Sequence, residues 1–345
     1  EETFGYMQGV MDRLVDRLGT ISHDTLASEA DSFIYQFGIF HEDMHTEAFL
    51  WARQSLAYPT PRLAMARNVT VERAAGPWPG YAEIPGGRFR MGAEKDAPFL
   101  FDNEKYAHDV TVAPFAIARA PVTNAEFAEF VAADGYANDA YWCDVGKAWR
   151  NMRGIDHPGY WVKNGRSRWR MRRFEHDIVL PENEPVIHVS WYEASAYCRW
   201  AGERLPTELE WEVAALGTLA ADGSLAATKR PYPWGYTPPT PNCANLDARA
   251  LGSIDVGALP DGDSAFGCRQ MLGNVWEWTA DTFQPFPDFA PDSYQEYSKD
   301  LFGNTKVLRG GAWTTRGRMM HGTYRNYFSP DRWNVFSGFR TCRAI

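Results

Sequence analysis

The chain has 345 residues, of which 45% are hydrophobic and 14% aromatic, and this is enough core material for two ordinary domains. The formal net charge of −9 argues against a general nucleic-acid-binding or anionic-membrane-binding surface. No apolar run approaches the roughly 20 residues of a membrane span, and no signal-peptide pattern opens the chain.

The cysteines are odd in number and scattered, and none forms a Cys-x-x-Cys pair. This pattern indicates reduced thiols rather than a disulfide framework. We therefore expect a cytoplasmic protein. The five positions are Cys143, Cys198, Cys243, Cys268 and Cys342.

Two amphipathic helices are predicted first, over residues 5–19 and 27–57, with Asp24 as an N-cap between them. Two helices cannot enclose a buried metal site alone, so a larger helical bundle is expected. The apolar pattern of the first helix runs to the first residue. We therefore expect further helices upstream of Glu1.

The second helix carries two histidines one turn apart on its apolar stripe. Two buried neutral imidazoles would compete for space and for hydrogen-bond partners. A divalent metal resolves that problem, because histidines at i and i+4 can present nitrogens to one ion. A pair of satisfied core histidines is the alternative, and we predict that His41 and His45 bind a metal. The stripe comprises Ile34, Phe37, Gly38, His41, His45, Ala48, Phe49 and Ala52.

The predicted secondary structure changes at Tyr81, after a proline-rich segment at 59–79 that is predicted to be a linker. Short strands alternate with turn residues, and capping boxes predict three short helices that end at Val131, Trp200 and Leu216. Residues 136–181 and 218–270 are predicted to be irregular. This pattern favours an α+β domain with long loops. Strands are predicted within 84–92, 108–112, 115–118, 274–278, 306–311 and 338–340.

Seven motifs in this region, taken together, resemble the formylglycine-generating-enzyme (sulfatase-modifying-factor) domain, a variant of the C-type-lectin fold. Most of them are glycine turns and tryptophans that serve the fold. They occupy residues 84–92, 121–124, 185–191, 204–212, 273–278, 309–311 and 338–340.

The motif His41-x3-His45-x-Glu47 resembles the metal motif of a DinB-like helical bundle. Such a bundle ahead of a lectin-like domain is typical of the ergothioneine-type sulfoxide synthases and the closely related selenoneine synthases. The resemblance implies non-heme Fe(II) and O2 chemistry that joins a sulfur or selenium donor to hercynine. Stretches 101–104, 297–298 and 323–332 resemble this subgroup more than the formylglycine enzymes.

The resemblance also implies domain bounds and a ligand set. The bundle would cover residues 1–58, the linker 59–79 and the lectin-like domain 80–345. The family uses three histidine ligands, of which only two match here, so the third is expected upstream of Glu1. Glu47 lies about 200° around the helix from His45 and is assigned to a supporting or packing role.

The segment from Asn326 to Arg332 resembles the substrate site of the synthases. Tyr327 and Phe328, beside Asn326, would line the hercynine site, since aromatic rings attract a quaternary ammonium group. Arg332 would bind a donor carboxylate, with a surface ion pair as the alternative.

Two departures from the mycobacterial-type enzymes affect this reading. Those enzymes have Trp-Asp where this chain has Tyr327 and Phe328, so a bulky γ-glutamyl-cysteine donor is less expected. Phe286 stands where they carry a catalytic tyrosine. A catalytic acid must then come from elsewhere, and the candidates are Tyr294, Tyr297 and Tyr327.

Three other functions were considered, and the sequence gives an argument against each. His41 to His45 spell the HExxH zinc-protease signature with Glu42 as base, but Ala48 and Trp51 do not match the metzincin extension. Formylglycine generation needs a cysteine pair, and residues 309–340 contain none. A non-catalytic lectin-like binding module has no need of two buried imidazoles. Neither the donor element nor the oligomeric state is predicted.

Overall fold

The computed structural model describes residues 1–20, 29–67, 74–165 and 168–345, so the predicted N-cap Asp24 lies outside the described residues. The chain forms two compact units, Glu1–His45 and Thr46–Ile345. The second unit begins inside a helix, before the bound at residue 58 that the sequence suggested. Within the second unit, the Gln54 side chain donates to the Arg172 carbonyl oxygen and accepts from the Phe174 amide. The domain bounds predicted from the sequence stay a prediction.

The first unit is helical. It contains helix α1 (Glu2–Thr20) and the N-terminal part of helix α2 (Glu29–Ser55). Helix α1 has no buried side chain, and Ile34 on α2 is 48% exposed. His41 is partly exposed and His45 is exposed. The expectation that the histidine stripe is buried is therefore wrong for the residues described, where few side chains cover it. The DinB-like bundle stays a prediction.

The second unit is α+β, built from four small sheets. Their strand orders are β1-β4-β12, β2-β3, β5-β6-β7 and β10-β9-β8-β11. All pairs are antiparallel except β11 with β8. The strands are β1 (Tyr81–Ile84), β2 (Gly87–Met91), β3 (His108–Val112), β4 (Phe115–Ala118), β5 (Trp161–Asn164), β6 (Arg168–Arg173), β7 (His176–Val179), β8 (Trp276–Thr282), β9 (Lys306–Arg309), β10 (Asn326–Phe328), β11 (Ser337–Gly338) and β12 (Cys342–Ala344).

Three of its helices begin at the predicted capping boxes: α3 (Asn124–Ala132), α5 (Trp191–Trp200) and α6 (Glu208–Leu216). In each box the N-cap hydroxyl accepts a hydrogen bond from the N3 backbone N–H, and the N3 glutamate accepts one from the N-cap backbone N–H. Two N–H groups that the helix leaves without a partner are thereby satisfied. Helix α6 lies against the large tryptophans of the core, and Trp211 is fully buried with Trp276, Trp278 and Trp313.

Residues 136–181 are more regular than predicted. They contain helix α4 (Asp144–Arg153) and the sheet β5-β6-β7. The prediction was wrong because α4 is capped by the thiol of Cys143 rather than by a common capping residue, and because β5 and β7 carry mostly exposed side chains. Residues 218–270 are irregular as predicted, with isolated bridges and one 3-10 turn at Pro260–Gly262.

In the described parts of the chain, no helix has the length and apolar character needed to cross a membrane.

Candidate active site

Residues from the stretches 101–104, 297–298 and 323–332 come together in the second unit. Ser298 Oγ donates to Asp102 Oδ1 at 2.5 Å and accepts from Asn103 Nδ2 at 3.0 Å. The chain after residue 320 joins the same cluster, because Thr323 Oγ1 donates to Glu104 Oε2 at 2.8 Å. Residues separated by about two hundred positions in sequence therefore form one buried polar cluster at the start of β10.

Glu104 also forms a buried ion pair with His321. The imidazole Nε2 lies 2.7 Å from Glu104 Oε2, and Nδ1 lies 3.1 Å from the Met319 carbonyl oxygen. Both ring nitrogens face acceptors, so the geometry calls for the doubly protonated imidazolium. Burial opposes this charge, but Glu104 outweighs burial and raises the pKa of His321, while His321 lowers the pKa of Glu104 against its own burial.

The two pKa shifts predict how stability depends on pH. The His321 shift favours the folded state below its ordinary pKa of 6.5, and this contribution is lost as pH rises through the raised folded value. The Glu104 contribution is present above its ordinary 4.5 and is lost as pH falls through the lowered value. The free energy of unfolding of the wild type should therefore exceed that of His321→Gln by the largest amount between pH 4.5 and 6.5.

Urea denaturation of both proteins from pH 5 to 9 measures that difference. We expect the advantage of wild type to shrink above neutral pH. The exposed His176→Gln variant serves as the control and should track wild type throughout. An advantage that grows as pH rises would contradict the imidazolium assignment.

Arg325, the residue directly before β10, is held in place by a second buried network of hydrogen bonds. Its Nε and Nη2 donate to the two carboxylate oxygens of Glu208 at 2.7 and 2.9 Å, and Nη1 donates to the Asn103 carbonyl at 2.6 Å. Glu208 also accepts from Arg309 Nη1 at 2.8 Å. Bidentate pairing of this kind holds a segment in one register.

Tyr327 packs inside an aromatic cluster. Its ring stacks on Phe283 with centroids 4.2 Å apart, and its hydroxyl donates to the Tyr297 carbonyl oxygen. Burial, with Asp102 nearby, raises the pKa of Tyr327. One face of its ring is therefore covered, and its phenol proton is already engaged.

Tyr297 belongs to the same aromatic cluster as Tyr327. Tyr297 stacks on Phe101 at 5.0 Å, and burial, with Tyr324 and Tyr327 beside it, raises the pKa of Tyr297 well above its ordinary 10.0. Tyr294 is 40% exposed. A raised pKa makes a phenol a weaker acid, so neither Tyr297 nor Tyr327 is tuned toward neutral pH in this structure.

Phe286, which stands where the resemblance implies a tyrosine, is a packing residue. It is buried, and its ring contacts His108 edge-on at 4.8 Å. The Arg325 guanidinium carbon lies 4.1 Å from its ring centroid.

Phe328 and Arg332 form a separate group with Trp51 of α2. Phe328 meets Trp51 edge-on at 5.5 Å, and the Arg332 guanidinium carbon lies 5.5 Å from the Trp51 ring and 5.7 Å from Phe328. Arg332 Nε is buried without a hydrogen-bond partner. Within the described ranges no carboxylate pairs with Arg332, so the surface ion pair weighed from the sequence is not observed there. The sequence did not suggest Trp51 for this group, because Trp51 lies far from Phe328 and Arg332 along the chain and meets them only in the folded structure.

Glu47 is buried and holds the C-terminal part of α2. Its carboxylate accepts from Trp276 Nε1 at 2.7 Å and from Thr315 Oγ1 at 2.6 Å. Burial raises the pKa of Glu47, and these hydrogen bonds oppose the rise. The geometry fits the packing role considered from the sequence.

His41 and His45 lie next to each other on α2 as the spacing predicts, with ring centroids 4.7 Å apart. Burial and the neighbouring His45 lower the pKa of His41, and Glu42 opposes them. Among the residues described, no group of three or more His, Cys, Asp or Glu side chains could hold a metal ion.

Comparison with known proteins places the chain. A model of the sulfatase-modifying factor enzyme 1-like domain matches residues 67–345. The chain belongs to this family. The hercynine oxygenase of Mycobacterium tuberculosis is 39% identical over 91% of this chain and 72% of that protein. The hercynine oxygenase of Mycolicibacterium thermoresistibile is 40% identical over 92% and 70%, respectively.

Two further relatives support the fold of this sulfatase-modifying factor family member. A formylglycine-generating enzyme of Streptomyces coelicolor is 33% identical over 76% of this chain and 88% of that enzyme. The structure of PvdO from Pseudomonas aeruginosa superposes with a TM-score of 0.51 at 24% identity, covering 77% and 94% of the two chains. The resemblance to the hercynine-modifying branch and the lectin-like α+β domain are therefore confirmed.

Proposed function

We propose that this protein is an iron(II)- and O2-dependent oxidoreductase that joins a sulfur or selenium donor to hercynine. The similarity to hercynine oxygenases over nearly the whole chain carries the proposal. The clustering of stretches 101–104, 297–298 and 323–332 near β10 supports it, because these stretches resemble the sulfoxide synthases more than the formylglycine enzymes.

The iron ion would be held by His41 and His45. Two imidazoles one turn apart suit adjacent positions of a non-heme Fe(II) centre, although the described residues include no third ligand. Iron supplies the site at which O2 and the sulfur or selenium of the donor are activated. The remaining tasks fall to the protein: to bind hercynine, to orient the donor and to exclude water.

The hercynine trimethylammonium group would bind beside Asn326 and Phe328. Cation–π attraction needs no hydrogen bond, and an aromatic wall of Phe328 and Trp51 suits it. Tyr327 contributes less than the sequence suggested, because Phe283 covers one face of its ring.

The donor carboxylate would bind Arg332. The buried Nε of Arg332 lacks a partner, and an anion would supply one. Phe328 stands where the mycobacterial-type enzymes carry an aspartate, which favours a donor smaller than γ-glutamyl-cysteine. The proton donor would be Tyr294, Tyr297 or Tyr327, and burial, which raises the pKa of Tyr297 and of Tyr327, favours the exposed Tyr294.

One assay tests this function. The protein is loaded with Fe(II) without oxygen, then given hercynine, O2 and, in turn, cysteine, γ-glutamyl-cysteine or a selenosugar, and the products are identified by mass. A hercynine adduct of sulfur or selenium is expected with one donor. Hydrolysis of a peptide by the zinc-loaded protein, with no hercynine adduct, would instead favour the protease reading.

Substitution of the aromatic pair separates binding from packing. Phe328→Leu should raise the KM for hercynine about two- to thirty-fold while thermal stability and iron content hold, because one desolvated cation–π contact contributes roughly 0.5–2 kcal/mol. Tyr327→Leu should instead lower stability by roughly 2–4 kcal/mol, because it removes a stacked core ring.

Steady-state kinetics and urea denaturation of the two variants provide the comparison. Tyr236→Leu, which changes an exposed aromatic ring outside this group, is the control. Unchanged hercynine kinetics in Phe328→Leu would move the pocket elsewhere.

A further inference from the structure

A small cavity lies inside the second unit, between the loop before α5 and the segment after β9. Its volume, counted as the space open to the centre of a water-sized sphere, is about 10 Å³. A buried water molecule needs about 10–15 Å³ on this measure, so the cavity has room for one molecule and not for two. Its polar walls come from Gln54, Arg172, Arg173, His188, Ser253 and Trp313.

Two polar atoms of these walls, His188 Nδ1 and Trp313 Nε1, have no hydrogen-bond partner among the described residues. Each residue is only 1% exposed, so bulk water does not solvate these atoms. Both rings pack on Phe336, at centroid distances of 5.4 Å for His188 and 4.7 Å for Trp313. Unpaired buried polar atoms destabilise the folded state and are rare in proteins, so both atoms call for a partner.

The other polar side chains at the cavity are already paired. Both ends of the Gln54 amide bond to backbone groups, and Arg172 Nη1 donates to a backbone carbonyl oxygen at 3.1 Å. Ser253 Oγ and Arg173 Nη2 both donate to Glu184 Oε2, at 2.6 and 2.5 Å. The hydrogen-bonding capacity that the described side chains leave unmet here therefore belongs to one imidazole nitrogen and one indole N–H.

The His188 imidazole is neutral. Burial, followed by the charges of Arg172 and Arg173, lowers the pKa of His188 to about 3, and a hydrogen bond with the Val335 backbone opposes the fall. A backbone bond that favours the charged imidazole is one in which a ring N–H donates to a carbonyl oxygen. Because Nδ1 has no partner in the described structure, that donor is Nε2, and Nδ1 carries the lone pair. Trp313 Nε1, in contrast, can only donate.

We propose that this cavity binds one ordered water molecule, which accepts a hydrogen bond from Trp313 Nε1 and donates one to His188 Nδ1. Water fits because it is small, neutral and both a donor and an acceptor. An anion would face the His188 lone pair, and a cation would face the Trp313 N–H. The water molecule joins the loop before α5 to the segment after β9.

Crystal structures of the full chain, at a resolution that shows ordered water, test this site. In wild type, one electron-density peak is expected about 2.7–3.2 Å from both atoms. Trp313→Phe removes the indole donor and should lose the peak. Trp234→Phe is the matched control and should keep it, because the Trp234 indole donates to the Thr237 carbonyl oxygen instead. Wild-type crystals soaked in bromide should show no anomalous peak here, which separates water from an anion.

NMR of protein with ¹⁵N-labelled tryptophan gives the same test in solution. The Trp313 indole proton should show cross-relaxation with a long-lived water molecule. Trp278 is the internal control and should show none, because it is fully buried and its indole donates to the Val189 carbonyl oxygen at 3.0 Å.

Four results would each overturn the proposal: no density peak in wild type, no water signal at Trp313, a bromide peak at the site, or a peak that persists in Trp313→Phe. Should Trp313→Phe fail to fold, the wild-type measurements decide alone.

Discussion

Alanine at His41 or at His45 is expected to abolish iron binding and turnover together, while residues 46–345 stay folded. The two imidazoles are adjacent on α2, and each would supply one of the few strong ligands of a non-heme iron site. Changes to groups that merely support a metal ligand cost about 10–100-fold in affinity, so loss of a ligand itself should cost more. The second unit has its own buried core.

Metal analysis after anaerobic loading measures the first effect, and circular dichroism with urea denaturation measures the second. His176→Ala removes an exposed histidine from β7 and should keep full iron. Full iron occupancy in either alanine variant would remove that residue from the site. Full occupancy in both variants would make both histidines ordinary helix residues, and the proposed function would lose its metal.

The local signals in the sequence predicted the frame of the second unit well. Thr123, Ser190 and Thr207 each precede a glutamate by three residues, and each starts a helix in the structure. A capping box joins residues three positions apart, so it can be recognised from the sequence alone. Helix α4 escaped prediction for the same reason, since its cap is a cysteine rather than a common capping residue.

The site was predictable only in part. Spacing on the apolar stripe gave His41 and His45 as candidate metal ligands, and resemblance gave Phe328 and Arg332 as candidate substrate contacts. These roles stay predictions. The contacts of His321 with Glu104 and of Trp51 with Arg332 join residues more than two hundred positions apart. No periodic pattern encodes such pairs. Tyr327 shows the limit most clearly, because only the packed structure reveals that Phe283 covers its ring.

Glu208→Gln should be the most destabilising conservative change in the second unit, at roughly 3–5 kcal/mol, since breaking a buried ion pair leaves an uncompensated charge. Glu208 joins two arginines whose side chains are 0% and 2% exposed, Arg309 and Arg325. The amide keeps the shape of the side chain but supplies only one acceptor oxygen for both guanidinium groups. Arg309 retains Glu212 at 3.0 Å, whereas Arg325 keeps only carbonyl partners. The loss should therefore fall mainly on Arg325 and on the start of β10.

Urea denaturation of a double-mutant cycle tests that origin. The destabilisation is expected to come from the Arg325 guanidinium group, which loses its carboxylate partner. In that case the double variant Glu208→Gln/Arg325→Leu should lose less free energy of unfolding than the sum of the two single variants. Asp109→Ala breaks an exposed pair with Arg88 and should cost under about 1 kcal/mol. Strict additivity would show that Glu208 and Arg325 act independently. Since Arg325 directly precedes Asn326, coupling in stability should be matched by a higher KM for hercynine in Glu208→Gln, with iron content unchanged.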